Sequence, residues 1–291
     1  MIESIEIVKN NASVSVGSGA MAGAIIITTK QMNHNFKHSI WGKQEFGSFG
    51  FDKETIGTEN QIRSLNLQLL LSRLHSDNDY KYQTRVYANK PSETGRRVNN
   101  AKDIYDINLK AQLNNQLVQT TYSGIYEQFE KQLPGGYNFE MHYDKALQTG
   151  YLSRHNLKLK TKWGIEHTNY WHQSFSDYDN TKSSTTSSFL KSHNDNKLTK
   201  YGSILNWLKK NETTSINIKI EIGNEEYSSK DFVIDANSVS KKENSFYAGS
   251  LAYGIKPQLG EYLFELDGSL RYDNYKLFDE FISYRLYGGV L

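Results

Sequence analysis

The 291-residue sequence contains no cysteine. That absence removes a disulfide framework, a thiolate metal site and a cysteine nucleophile together. Proline is nearly absent too: Pro91, Pro134 and Pro257 are the only three, each in a stretch that reads as loop or turn. Scarce proline suits a chain of paired strands, because proline removes a ladder donor. No window approaches the ~20 consecutive apolar residues that a membrane helix needs, and the run Ala24 to Ile27 is typical of what occurs. A helical membrane protein is therefore excluded. A membrane barrel is not, since its strands need an apolar side chain only at every second position. Nor is there an excess charge of one sign. The 34 basic and 32 acidic residues leave a net charge of +2, without the basic surplus expected of a nucleic-acid partner.

The signatures of common chemistries are also missing. Eight histidines, His34, His38, His75, His142, His155, His167, His172 and His193, form no H-E-x-x-H or other compact ligand pattern. There is no G-x-S-x-G and no phosphate-binding loop. Gly17, Gly19 and Gly23 give G-x-G-x-x-x-G, one residue too long for the dinucleotide fingerprint, and a strand-forming run follows where that motif needs a helix. No catalytic residue, resident cofactor or metal is assigned. Met1-Ile2-Glu3-Ser4 lacks the basic start and apolar core of a signal peptide.

What the sequence does have is alternation with period two. In Ile216-Asn217-Ile218-Lys219-Ile220-Glu221-Ile222 four isoleucines take one face and three polar residues the other. Leu65, Leu67, Leu69 and Leu71 repeat the pattern, as do Tyr105 to Leu113, Leu157 to Trp163 and Tyr262 to Tyr272. None shows the i, i+3, i+4, i+7 spacing of a helix. Strands are expected near 36–46, 51–61, 64–76, 102–113, 116–129, 152–162, 165–176, 199–209, 213–226, 243–255 and 261–275, with Phe278 to Leu291 opening a loop. These strands are long beside the ~5–6 residues usual in globular sheets, and match the ~9–11 of a tilted membrane strand. Twenty tyrosines, 13 phenylalanines and 4 tryptophans stand in a polar background, and Trp163, Trp207 and Tyr272 close apolar rows as interface girdles do. Tight turns near 114–115, 163–164, 210–211 and 257–260 alternate with long polar loops near 78–101, 130–151, 177–198 and 227–242. Short turns on one side and long loops on the other is the pattern of bacterial outer-membrane barrels. A passive porin-like channel and a soluble β-sandwich binding protein, which also alternates, stay open on these grounds.

One segment adds a family resemblance. Ile5-Glu6-Ile7-Val8-Lys9, then Gly17-Ser18-Gly19-Ala20, then Gly23-Ala24-Ile25 and Ile27-Thr28-Thr29-Lys30 resemble, in order and without gaps, the end of the plug domain of TonB-dependent receptors. Asn10-Asn11 stands where that family usually has Gly-Pro, Val16 where tyrosine is frequent, and Ile26 where asparagine is frequent. Trp41-Gly42, Phe46-Gly47 and the strand from Ser64 continue the likeness more loosely. The resemblance implies an all-β chain: residues 1–31 as the C-terminal part of a plug, with Gly17, Gly19 and Gly23 in its structural turn, and residues 32–291 as about eleven antiparallel strands of a transmembrane barrel. It further implies a bacterial outer-membrane location, lipid around the barrel, and energised uptake of a ferric siderophore, haem or cobalamin rather than enzymatic activity. The segment that meets the TonB energy-coupling protein would lie upstream of Met1 and the closing strands beyond Leu291. Arg96, Arg97, Tyr137 and Tyr143, in expected exterior loops, are the candidate residues for capturing the small-molecule or metal-chelate ligand.

Overall fold

A computed structural model describes residues 2–9, 23–29, 38–84, 93–134, 145–183, 191–233, 235–259 and 262–290. Every regular element among them is a strand. β1 (Ile2–Lys9) and β2 (Gly23–Thr29) form a separate two-stranded antiparallel sheet, with Ile5 opposite Ile27 and Ile7 opposite Ile25.

The main sheet begins with β3 (His38–Phe46), β4 (Asp52–Ile62) and β5 (Leu65–Ser76). A small hairpin, β6 (Lys81–Thr84) with β7 (Glu93–Arg96), sits in the connection that follows. The sheet resumes with β8 (Lys102–Asn114), β9 (Val118–Gln132), β10 (Leu147–Thr161) and β11 (Ile165–Asp179). It continues through β12 (His193–Lys210), β13 (Thr214–Asp231) and β14 (Asp235–Ile255). The two-residue β15 (Gln258–Leu259), β16 (Tyr262–Tyr275) and β17 (Phe278–Val290) complete it. Each long strand pairs antiparallel with the next, β5 reaching β8 and β14 reaching β16 past the short elements between them. All eleven expected strands are present.

Two expectations need correction. Phe278 to Val290 is not the opening of a loop but a twelfth long strand, paired with β16 from Phe264↔Val290 to Tyr275↔Phe278. Residues 227–242 are not a long loop either: β13 runs to Asp231, β14 starts at Asp235, and the two remain in register through Lys230↔Val239. The strands continue there through residues such as Ser228, Ser229, Lys241 and Lys242, which carry no apolar row. The long connections at 77–101, 133–146 and 180–192 do fall on one side, opposite the turns at 63–64, 115–117, 162–164 and 211–213. At the last of these, Asn211 Oδ1 accepts from the backbone N–H groups of Thr213 (3.1 Å) and Thr214 (2.6 Å), a local bond that asparagine offers in turns. Gly164 takes φ +82°, a conformation open to glycine, and a Cβ there would strike the Leu208 carbonyl oxygen.

Register puts the alternating residues on two continuous faces. One carries Ile56, Leu71, Ile107 and Tyr126 in a row, and Trp207, Ile218, Leu251 and Leu270 in another. The other carries Lys219, Glu221, Arg271 and Asp273. The apolar face has no second sheet against it: Ile40 and Leu286 are each 82% exposed, and only Ala146, Tyr170, Phe246 and Ala248 are buried apolar residues among those described. A soluble sandwich would bury such a face in ~10 Å of interdigitated side chains. Rings mark both borders. Trp163 and Trp207 lie at the turn end, while Tyr126, Tyr151 and Phe175 stack in succession at the loop end, with centroids 6.2 and 5.8 Å apart.

Candidate functional site

The polar face holds the groups able to meet a ligand or an enclosed domain. On β16, Arg271 and Asp273 are two apart and so share that face. The guanidinium binds Asp273 in bidentate fashion, Nε to Oδ2 and Nη2 to Oδ1, both at 2.8 Å. Nη2 also reaches Glu221 Oε2 on β13 at 3.5 Å. Two small residues between them on β14, Ala248 opposite Asp273 and Ser250 opposite Arg271, leave the space this reach needs. Arg271 is 1% and Asp273 0% exposed, so the pair is fully withdrawn from water, where a charge is sustained only by its partner.

Beside this cluster the register aligns Tyr170, Gly202, Gly223, Phe246 and Tyr275 across five strands. The two glycines leave a trough in which the Tyr170 ring lies. A Cβ at Gly202 would stand 2.5 Å from the Tyr170 hydroxyl, and one at Gly223 2.7 Å from the Phe246 ring. The next row is Arg154, His172, Lys200 and Glu225, where Lys200 Nζ is 2.6 Å from Glu225 and lies 5.1 Å from the Phe246 centroid. Phe246, Tyr275 and Phe281 stack in series at 5.5 and 6.1 Å. Toward the turn end a cavity of ≈ 480 Å³ is lined by Lys210, Lys219, Lys256, Glu265, Asp267 and Arg285, among others. Charges of both signs therefore line the face. Lys158 pairs with Glu166 at 2.6 Å and Lys256 with Glu265 at 2.5 Å. Among the described residues no group of three or more His, Asp or Glu is placed to hold a metal ion.

Of the residues singled out in the sequence, Arg96 closes the β6–β7 hairpin. Its Nε donates to the Asp79 carbonyl at 3.1 Å and its guanidinium contacts the Asp79 carboxylate. Arg97, next to it, is 8% exposed, and its backbone N–H donates to the Tyr80 carbonyl at 2.9 Å. The structure thus brings these two together at one hairpin base. Gly23 begins β2 opposite Lys9. Gly17, Gly19, Tyr137 and Tyr143 lie outside the described residues. His167 and His172 do take opposite faces of β11, as their spacing requires. Sequence reasoning passed over the Arg271–Asp273–Glu221 cluster and the Tyr170 trough. The available signal was small residues, Gly202, Gly223, Ala248 and Ser250, at polar-face positions.

No family model and no curated protein matches this sequence. Solved structures do match. The FrpB iron transporter from Neisseria meningitidis (F5-1 variant, apoprotein form) aligns with a TM-score of 0.72 at 14% identity, over 100% of this chain and 49% of that one. The siderophore receptor PiuA from Acinetobacter baumannii aligns at 0.64 and 11% identity, over 99% and 51%. The copper transporter OprC aligns at 0.70 and 12% identity, over 99% and 46%. The chain spans about half the length of the structures it matches. Its fold is that of about one half of a TonB-dependent siderophore or iron receptor.

Proposed function

We propose that this chain is the end of the plug and the first half of the barrel of a bacterial outer-membrane receptor that imports a scarce metal complex under TonB drive. It is a transporter, not an enzyme. Residues 1–31, with the β1–β2 sheet, belong to the plug, and residues 32–291 form barrel wall. The observation that carries the reading is the two-faced sheet: twelve antiparallel strands with a continuous exposed apolar face, aligned along their whole length with half of such receptors. The cargo class is a ferric siderophore, haem or cobalamin. Matched proteins described as siderophore receptor, iron transporter and copper transporter support a metal complex. The loop residues Arg96, Tyr137 and Tyr143 meet the ligand first, while Arg97, the fourth candidate, is 8% exposed and withdrawn from that first contact; the charged and aromatic wall from β10 to β17 faces the plug and the passage.

The test is uptake by cells carrying the complete parent protein as their only such receptor. Labelled ferric siderophores, haem and cobalamin are offered with and without a functional TonB system. Accumulation of one of them that stops when TonB is removed is expected. Passage of small solutes that is indifferent to TonB would replace this reading with a passive channel.

A further inference from the structure

The connections on the loop side are tied together at their bases by polar side chains. Phe49, in the turn after β3, takes φ +61°. Its carbonyl accepts from the Asp77 and Asn78 backbone N–H groups, at 3.0 and 3.1 Å, and from Ser76 Oγ at 3.2 Å. Asn78 and Asn100 each donate from Nδ2 to the other's backbone carbonyl, at 3.1 and 2.9 Å. These bonds close the stem of the connection that carries β6 and β7. Arg96 is pinned to Asp79 inside that stem. Asn99, beside the closure, reaches across to the next connection. Its Nδ2 donates to the Leu133 carbonyl at 2.9 Å and to the Ala146 carbonyl at 3.0 Å. Leu133 follows β9 and Ala146 precedes β10, and the Leu133 N–H donates to the Ala146 carbonyl at 3.0 Å. The two are thus the paired ends of that connection, and Ala146 is fully buried. Asn99 itself takes φ +53°.

We infer that Asn99 is a positioning residue for ligand capture: its amide sets where the Arg96 hairpin stands relative to the ends of the β9–β10 connection. The inference rests on the receptor reading above, in which Arg96 meets the ligand. Two backbone carbonyls face the Asn99 side chain, and a carbonyl only accepts. The group between them must therefore offer two donors, as an amide nitrogen does and a carboxylate does not. The backbone at this position must also take positive φ, which asparagine adopts more readily than most residues. Asparagine meets both demands with one short side chain. The strand pairing below does not depend on it. Ala101 and Gln132 hold each other through Gln132 N–H to the Ala101 carbonyl at 2.8 Å and Ala101 N–H to Gln132 Oε1 at 3.3 Å. Asn99 adds a tie beyond that point, between one connection and the next. Capture by groups already held at a fixed separation loses less conformational freedom on binding than capture by groups that must first be ordered.

The test uses the complete parent protein in native outer membranes. Residues 1–291 hold no cysteine, so Thr94→Cys and Lys145→Cys, both at exposed positions, give one spin label on each connection. Two variants remove the donors. Asn99→Gly keeps the backbone conformation open, and Asn99→Asp keeps the shape but sets a carboxylate oxygen against the two carbonyls. A narrow label-to-label distance distribution is expected with Asn99 and a broad one in both variants, with the heat-modifiable band on gels unchanged. Uptake of labelled ferric siderophore, haem and cobalamin is measured on the same variants without labels. For the one imported, the half-saturating concentration is expected to rise about tenfold, the scale of losing one or two hydrogen bonds, while the maximal rate is kept. An equally narrow distribution in both variants overturns Asn99 as the tie. A broadened distribution with an unchanged half-saturating concentration overturns its role in capture. Loss of maximal rate in step with the heat-modifiable band makes Asn99 a folding residue and overturns the proposal. Passage indifferent to TonB overturns the receptor reading and the capture role with it, and the distances, which need no cargo, keep that failure distinct from a failure of the tie.

Discussion

At the residue scale, the strongest constraint is the withdrawal of Arg271 and Asp273 from solvent. Removing one partner of a buried pair leaves an uncompensated charge and costs ~3–5 kcal/mol, whereas replacing the pair with apolar groups of similar volume is often neutral. Arg271→Met should therefore lower the urea midpoint of the refolded parent protein by an amount equivalent to ~3–5 kcal/mol. Arg271→Met combined with Asp273→Leu should recover most of that loss, since Glu221, 3.5 Å from the guanidinium, then keeps Lys219 on the same face as a neighbouring opposite charge. A second comparison uses two glycines. Gly202→Ala forces a methyl against the Tyr170 hydroxyl, with backbone of the neighbouring strand also in the way, and should cost ~1–3 kcal/mol as overpacking does. At Gly249 a Cβ meets nothing within 4 Å, so Gly249→Ala should be neutral or stabilise by about 0.5–1 kcal/mol through the lost flexibility of the unfolded chain. The same denaturation curves read both. Equal effects would remove the trough as an explanation for this glycine pair.

At the element scale, the membrane reading proposed above distinguishes one face from the other by the medium it meets. On β8, Leu109 belongs to the apolar row and Asn108 to the polar one. On that reading a lysine at Leu109 would stand in lipid and cost ~2–4 kcal/mol near mid-membrane, while one at Asn108 would meet the polar side. Leu109→Lys should reduce the folded, heat-modifiable fraction of the parent protein on gels, and Asn108→Lys should leave it unchanged. The same contrast explains how much was legible in the sequence. Strands such as Ile216 to Ile222 announce themselves because one neighbour must be apolar and the next need not be. The signal fades where both faces are polar, which is why the continuation of β13 and β14 through Ser228 to Lys242 reads as loop. It also fades in β17, where Tyr284 and Tyr287 occupy opposite faces and blur the alternation. The pairing of Arg271 with Glu221, fifty residues apart, has no trace in local pattern at all. Only the register across β13, β14 and β16 creates it.

At the scale of the whole molecule, the sheet is open. β3 pairs with β4 alone and β17, beyond its pairing with β16, has no second neighbour among the described residues. In water an exposed edge is a liability, and in hydrocarbon each unpaired N–H and C=O costs several kcal/mol, so a membrane sheet has to close. β3 runs toward the loop side and β17 away from it, so the two edges are antiparallel to each other and any closing set must contain an even number of strands. Twelve strands already satisfy that parity, which leaves self-closure as the rival to closure by further strands. The matched structures, about twice as long as this chain, support further strands. Expressed by itself, the segment 38–290 should therefore collect as aggregate and resist assembly into vesicles. Co-expression with the remaining strands of the parent protein should restore a heat-modifiable, membrane-embedded species. A folded, protease-resistant barrel formed by 38–290 alone would show that β17 can return to β3 and that the half-length match misstates how this sheet closes.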